Sequence, residues 1–275
     1  MLILSRPGLD DARTLGRLVR DPMFAPHATA WAQAYADYEA AGGDPWTLAP
    51  AVFASDISDA QRALYDTRRN SKPLRAIRRR EDHPCCPMCG SGGRGHLDHF
   101  LPRSAYPEFS VFGLNLVPTC SSCNSGSKGD TYQGIAPERF LHPYFDTLAA
   151  QAIWFVEISG DLRAALFTPR PVDGLGRDDA ARVSFHLAHV LGWEFDVWAA
   201  RYWSGLPQRV RDAQATAAAI TADAARDTLE TLNRQAVGAD GRNSWPAGFL
   251  RGALVHPDVA AHVAGEAMNL PPTTV

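Results

Sequence analysis

Residues 86–130, CPMCGSGGRGHLDHFLPRSAYPEFSVFGLNLVPTCSSCNSGSKGD, carry two Cys-x2-Cys pairs, Cys86/Cys89 and Cys120/Cys123, that bracket a histidine-containing segment. Four thiolates in two knuckles suit a closed tetrahedral site of the kind structural zinc occupies. Pro87 and Gly90 shape a tight first knuckle, which favours Cys86 as the ligand. Cys85 spaced against Cys89 is also sterically allowed; otherwise it fits a small buried residue. Inside the bracket stand Asp98-His99 and then Asn115. Asn124 follows the last cysteine directly, and Lys128 lies four residues further on.

The surrounding chain bounds what this segment does. Its 275 residues fit one large domain or two modest ones, and 45% hydrophobic against 21% charged residues is the balance of a soluble globular protein. No apolar run reaches the roughly 18 residues that a membrane span needs. The opening MLILSRPGLDDAR lacks a basic region and a long apolar stretch, so no secretory leader is expected. Four of the five cysteines sit in the knuckles, which favours metal binding in a reducing cytoplasm over disulfides. Net charge is −3, which by itself argues against indiscriminate binding to nucleic acid. The distribution of charge says more: residues 68–139 hold 11 Lys/Arg against 6 Asp/Glu, and the remainder carries −8. Seven cations fall within residues 68–80 (Arg68, Arg69, Lys72, Arg75, Arg78, Arg79 and Arg80). A solvated helix face is the ordinary account of such a run. Directly ahead of a metal site it suits phosphate contact equally well.

Helical spacing predicts helices over residues 9–20, 29–41 and 55–69, the last capped by Ser55, Asp56 or Ser58. Two apolar runs, 153–158 and 162–167, flank Ser159-Gly160-Asp161 and predict a hairpin. From Asp178 the chain reads as helical, at about 178–191, 194–204, 207–236, 246–255 and 257–267. Trp193, Trp198 and Trp203 share no clean helix face and are expected in a packed core. His142, His186 and His189 have no partner spacing and are expected to be structural.

The order Cys-x2-Cys, Asp-His, Asn, Cys-x2-Cys-Asn and Lys resembles the HNH nucleases, over about 45 of the 275 residues. The resemblance implies a ββα-metal (His-Me) finger in which His99 is the general base and Asp98 and Asn124 hold a catalytic Mg²⁺ or Mn²⁺. Asn115 would brace the loop that carries His99. The last metal position is Asn where the family also uses His, a small departure. The four cysteines would hold a structural Zn²⁺ that pins the ends of a finger too small to hold itself. The chemistry is coherent, because a neutral imidazole can take a proton from water. A hard cation held by one or two protein oxygens neutralises phosphate charge and helps the leaving 3′ oxygen. Lys128, four residues past Asn124 on one helix face, is expected on phosphate, as are Arg75, Arg78, Arg79, Arg80 and Arg103. His96 is expected as a hydrogen-bonding neighbour of Asp98, with a second imidazole near the metal as the alternative.

The expected architecture is mostly α, with a small ββα-metal finger stapled by a four-cysteine zinc site and one additional β-hairpin. Residues 1–82 form an N-terminal helical region, 83–145 the finger, and 146–275 the hairpin with C-terminal helices. Leu97, Phe100, Leu114, Leu116 and Val117 are the expected finger core. The function implied is hydrolysis of phosphodiester bonds in nucleic acid, DNA first, in the cytoplasm and away from membranes. Helical flanks around such a finger look similar to nucleases of bacterial antiviral defence that act beside an ATPase, so a partner ATPase is expected by analogy of architecture. The alternative is a non-catalytic zinc-ribbon module that binds nucleic acid. A rubredoxin-like iron site ranks lower. Neither calls for Asp98, His99, Asn115 and Asn124 in that order.

Overall fold

The computed structural model describes residues 1–273 and divides into two compact units. One joins Met1–Ala150 with Arg177–Val190; the other joins Gln151–Gly176 with the chain from Leu191. Helices supply most of the regular structure, and the strands form two separate antiparallel pairs.

In the first unit, α1 (Asp11–Leu18), α2 (Ala28–Ala41), α3 (Ser55–Arg68) and α4 (Lys72–Arg78) precede the strands. α1 starts at Asp10, whose carboxylate accepts the Arg13 N–H at 2.8 Å and so satisfies one orphan donor of the helix end. α2 buries Trp31, Ala34, Tyr35 and Tyr38, spaced i, i+3, i+4 and i+7, as one stripe. That stripe faces the loop before the second strand: Trp31 donates to the Glu108 carbonyl (2.8 Å), and Tyr35 stacks on Phe112 at 4.0 Å. Gly42 and Gly43 end the helix in left-handed conformations (φ +62° and +69°), and a side chain at Gly43 would strike Tyr38 and His142. α3 lacks the expected side-chain cap, because Ala54 occupies the capping position and Ser55 already lies in the first turn.

The strands β1 (His96–His99) and β2 (Leu116–Thr119) pair antiparallel, Asp98 opposite Val117 and His99 opposite Leu116. α4 covers them, burying Leu74 and Ile77 against Leu97 and Leu116. Leu97, Phe100, Leu114, Leu116 and Val117 are all buried, as the sequence predicts. The early helices and the strand pair therefore share a core, and residues 1–82 and 83–145 lie in one body. α5 (Arg177–Val190) completes this unit.

In the second unit, β3 (Trp154–Ser159) and β4 (Leu166–Pro171) form the hairpin, with Trp154, Val156 and Ile158 buried in alternation. The second strand begins later than its apolar run suggests, because Leu162–Ala164 make a 3₁₀ turn capped by Asp161. Among the described residues, five helices follow: α6 (Trp193–Ser204), α7 (Leu206–Ala213), α8 (Ala222–Asp240), α9 (Trp245–Val255) and α10 (Val259–Met268). α9 lies so close to β3 that a Cβ at Gly252 would overlap the Val156 carbonyl. The single helix expected over 207–236 is two. α7 stops at Ala213, and α8 starts afresh at Thr221, whose hydroxyl accepts the Ala224 N–H at 3.1 Å. Trp193 is 71% exposed, so the three tryptophans of α6 do not form one packed core. Among the described residues, no helix is long and apolar enough to cross a membrane.

Candidate functional site

Cys86, Cys89, Cys120 and Cys123 are buried, and their sulfurs lie within 4.8 Å of one another. Cys89 and Cys120 are 3.7 Å apart at Sγ, and Cys86 and Cys123 4.0 Å. A tetrahedron with zinc–sulfur bonds of about 2.3 Å has edges of roughly 3.8 Å. The Cys120 N–H points at Cys86 Sγ and the Cys123 N–H at Cys120 Sγ, both at 3.4 Å, as anionic sulfur requires. Hydrogen bonds from Cys123, Cys86 and Cys89 hold the Cys120 thiol far below its ordinary pKa. The donor set fits a metal ion such as zinc. Cys85 is buried outside this group.

The first knuckle is braced from α5. His186 Nδ1 accepts the Leu141 N–H (3.0 Å), so its Nε2 carries the proton and donates to the Met88 carbonyl (2.7 Å). Burial pushes His186 down to about 4, so the folded protein refuses a proton that the unfolded chain takes near 6.5. Its contribution to stability is full above 6.5 and drains away as pH falls toward 4. Between pH 7 and pH 5 the wild-type protein should lose about 2 kcal/mol more than His186→Gln, which keeps both hydrogen bonds and cannot titrate. Urea midpoints at the two pH values measure this, and parallel losses in both proteins would refute it.

Beside β1 opens a cleft of about 380 Å³ whose walls include Asp98, His99, Asn124, Tyr65, Arg103 and Asp130. β1 ends at His99, where the alternation of side chains lapses, so neighbours 98 and 99 both reach this space. His99 Nε2 lies 2.9 Å from the Ser110 carbonyl. A carbonyl only accepts, so Nε2 carries the proton and Nδ1 the lone pair. Tyr65 meets the ring edge-on at 4.5 Å. Burial pushes His99 down to about 4, which keeps it neutral at pH 7. Burial also pushes the Asp98 carboxyl up to about 6, against the pull of the Lys128 ammonium. The Asn124 Nδ2 donates to Ser125 Oγ (3.0 Å), which makes its amide oxygen the atom suited to a cation.

Asn115 is fully buried and holds the loop after β1. Its Oδ1 accepts the Leu101 N–H (2.8 Å) and the Tyr38 hydroxyl (3.0 Å); its Nδ2 donates to the carbonyls of Leu101 (3.0 Å) and Phe109 (3.3 Å). Asn115→Ala strands these partners in the interior. It should cost at least about 3 kcal/mol, read as a lower urea midpoint, since each unsatisfied buried group costs about 1–3 kcal/mol. A loss below about 1 kcal/mol would remove Asn115 from this bracing role.

Several expected phosphate contacts are placed otherwise. Lys128 is 1% exposed: its Nζ pairs with Asp98 Oδ2 at 3.0 Å and donates to the His99 carbonyl at 2.9 Å, so it serves the interior and meets no phosphate. Arg80 is clasped by Asp82 and Ser5. Arg75 and Arg79 are exposed and line none of the clefts beside β1. Arg103 does line the cleft, with Asp66 as its ion-pair partner (2.9 Å). Arg78 and His96 face a neighbouring cleft, so His96 does not join Asp98. Sequence reasoning missed Tyr65 and Asp130. Gly129 takes a positive φ of +51°, a turn that carries Asp130 into the cleft, where Ser104 Oγ donates to it at 3.1 Å.

These parts define a four-cysteine cluster able to hold a metal ion, in the same unit as a cleft bearing carboxylates, an amide and a neutral imidazole. Over 62 residues the chain is 48% identical to Protein ea31 of Escherichia phage lambda, a stretch that covers 22% of this chain and 21% of that protein. The chain thus spans about a fifth of the length of the relative it matches. No family profile and no solved structure matches it.

Proposed function

We propose that the chain is a metal-dependent endonuclease of the HNH type, hydrolysing phosphodiester bonds of nucleic acid, DNA first. The observation that carries this is the meeting of Asp98, His99 and Asn124 in one cleft, with His99 presenting Nδ1 as its lone-pair nitrogen. In that reading β1, β2 and the helical turn at residues 121–127 are a ββα-metal finger, and the four cysteines pin it through Zn²⁺.

The carboxylate of Asp98 and the amide oxygen of Asn124 are hard donors that suit Mg²⁺ or Mn²⁺, and Asp130 adds a second carboxylate in the same cleft. When bound, such an ion supplies Lewis acidity toward the phosphate and the leaving 3′ oxygen. The protein's own work is to position and deprotonate. Ser110 fixes the tautomer of His99, Tyr65 buttresses its ring, and Nδ1 takes the proton from an attacking water. Lys128 holds the Asp98 carboxylate and the His99 backbone together, a positioning role.

The test is nicking of supercoiled plasmid by the purified protein with and without added Mg²⁺ or Mn²⁺, and without chelator, so that the thiolate metal stays in place. Metal-dependent nicks support the proposal. If cutting appears only with a co-purified ATPase, the defence-type partnership gains its first support. The pairing of Asp98 with Lys128 favours one rival, a non-catalytic zinc-bearing module that binds nucleic acid. Under that rival, binding needs no added Mg²⁺ or Mn²⁺ and no condition gives cutting.

A further inference from the structure

A second cleft, of about 420 Å³, adjoins the first and shares Tyr65, Leu97 and Asn124 with it as common walls. Its remaining walls are Arg69, Asn70, Arg78, Gly95 and His96, with no carboxylate among them. The arginines come from the end of α3 and from α4, outside the cysteine-bracketed segment. Arg78 donates from Nη2 to the Arg69 carbonyl at 2.8 Å, which fixes one guanidinium relative to the turn carrying the other. The first cleft is the acidic one, with Asp98 and Asp130; the second is cationic and lined by N–H donors. Two guanidinium groups and an amide are the donor set that phosphate oxygens attract.

We propose that Arg69, Asn70, Arg78 and His96 form a binding site for the phosphodiester next to the scissile one, on the strand whose cleaved bond lies at His99. The assignment to a neighbouring phosphate rests on the nuclease reading; the site itself is a phosphate site on a nucleic-acid strand. Asn124, as the shared wall, marks where one cleft passes into the other.

The test reads binding with no cutting. Fluorescence anisotropy with labelled single-stranded DNA and RNA of one sequence, in buffer with no added Mg²⁺ or Mn²⁺ and no chelator so that the thiolate metal stays in place, gives the dissociation constant across a salt series. On a single strand each arginine on phosphate contributes about 0.7 to the log–log salt slope. Arg69→Ala/Arg78→Ala should therefore lower the slope by about 1.4 and weaken binding at low salt. Arg69→Lys/Arg78→Lys should keep the slope. Arg234→Ala, which removes an exposed cation from the other unit, should change neither. Metal content and circular dichroism identify a variant that fails to fold, and Arg69→Ala alone then replaces the double variant with an expected change of about 0.7. A slope and affinity equal to those of Arg234→Ala overturn the site, as does a wild-type protein that binds neither strand at low salt. Plasmid cutting by the wild type scores the nuclease reading separately. A protein that binds through these arginines and never cuts sinks that reading and leaves the strand site standing.

Discussion

His99→Ala should lower metal-dependent nicking by about 10²–10⁴-fold, the range that a positioned general base contributes. The case rests on the ring's surroundings. Ser110 takes the Nε2 proton, Tyr65 meets the ring at 4.5 Å, and burial holds the pKa near 4, so the base form is present throughout the neutral range. The substitution leaves the Lys128 bond to the His99 carbonyl intact, because that bond is made by backbone. Thiolate-bound metal and strand affinity should therefore stay at wild-type levels while turnover collapses. His99→Gln sharpens the test: it can still donate to Ser110 but offers no basic nitrogen, and it should be as inactive as the alanine variant. Wild-type nicking by either variant would remove His99 from the chemistry.

The parts of this molecule that were legible in sequence are those whose physics is local. Two Cys-x2-Cys knuckles specify their own geometry, and the four sulfurs do converge. The i, i+3, i+4 stripe of α2 is equally self-contained. Lys128 illustrates the opposite case. An i, i+4 spacing from Asn124 puts both residues on one face of an α-helix, yet Cys123–Ser127 is wound as a wider π turn, and Lys128 turns inward onto Asp98. The alanine-rich tract between α7 and α8 keeps helical periodicity through its break. What interrupts it is tertiary: Ile220 is buried with its N–H on Met268 Sδ at 3.2 Å, and Thr221 caps the new helix. Asp130 was hidden for a related reason, since only the left-handed turn at Gly129 brings it beside Asp98. The basic run was visible, but which arginines face a cleft depends on partners such as Asp82 and Ser5 that claim Arg80 first.

Removing a metal held by the four cysteines should unfold the knuckles and the strand pair between them. Structural zinc contributes about 10–16 kcal/mol in zinc-finger peptides, as much as the total stability of a typical domain, about 5–15 kcal/mol. The strands themselves give little in exchange: β1 and β2 are four residues each, and Leu97 and Leu116 rest on Leu74 and Ile77 of α4. Without metal, the crowded sulfurs push the Cys89 and Cys123 thiols well above their ordinary pKa, so the four cysteines cannot all ionise and no bond ties one knuckle to the other. Cys123→Ser, or a strong chelator on the wild type, should abolish bound zinc by elemental analysis. Amide hydrogen exchange on the full chain should then lose protection across β1, β2 and the Asn115 loop. Because Asn115, Tyr38 and the Leu101 backbone are bonded to one another, the loss should extend into α2. Cys85→Ser, outside the cluster, should keep its zinc and its protection. A Cys123→Ser protein that retains wild-type exchange in β1 and β2 would show that the strands stand on their own core, and the four cysteines would lose their role as the staple of the cleft.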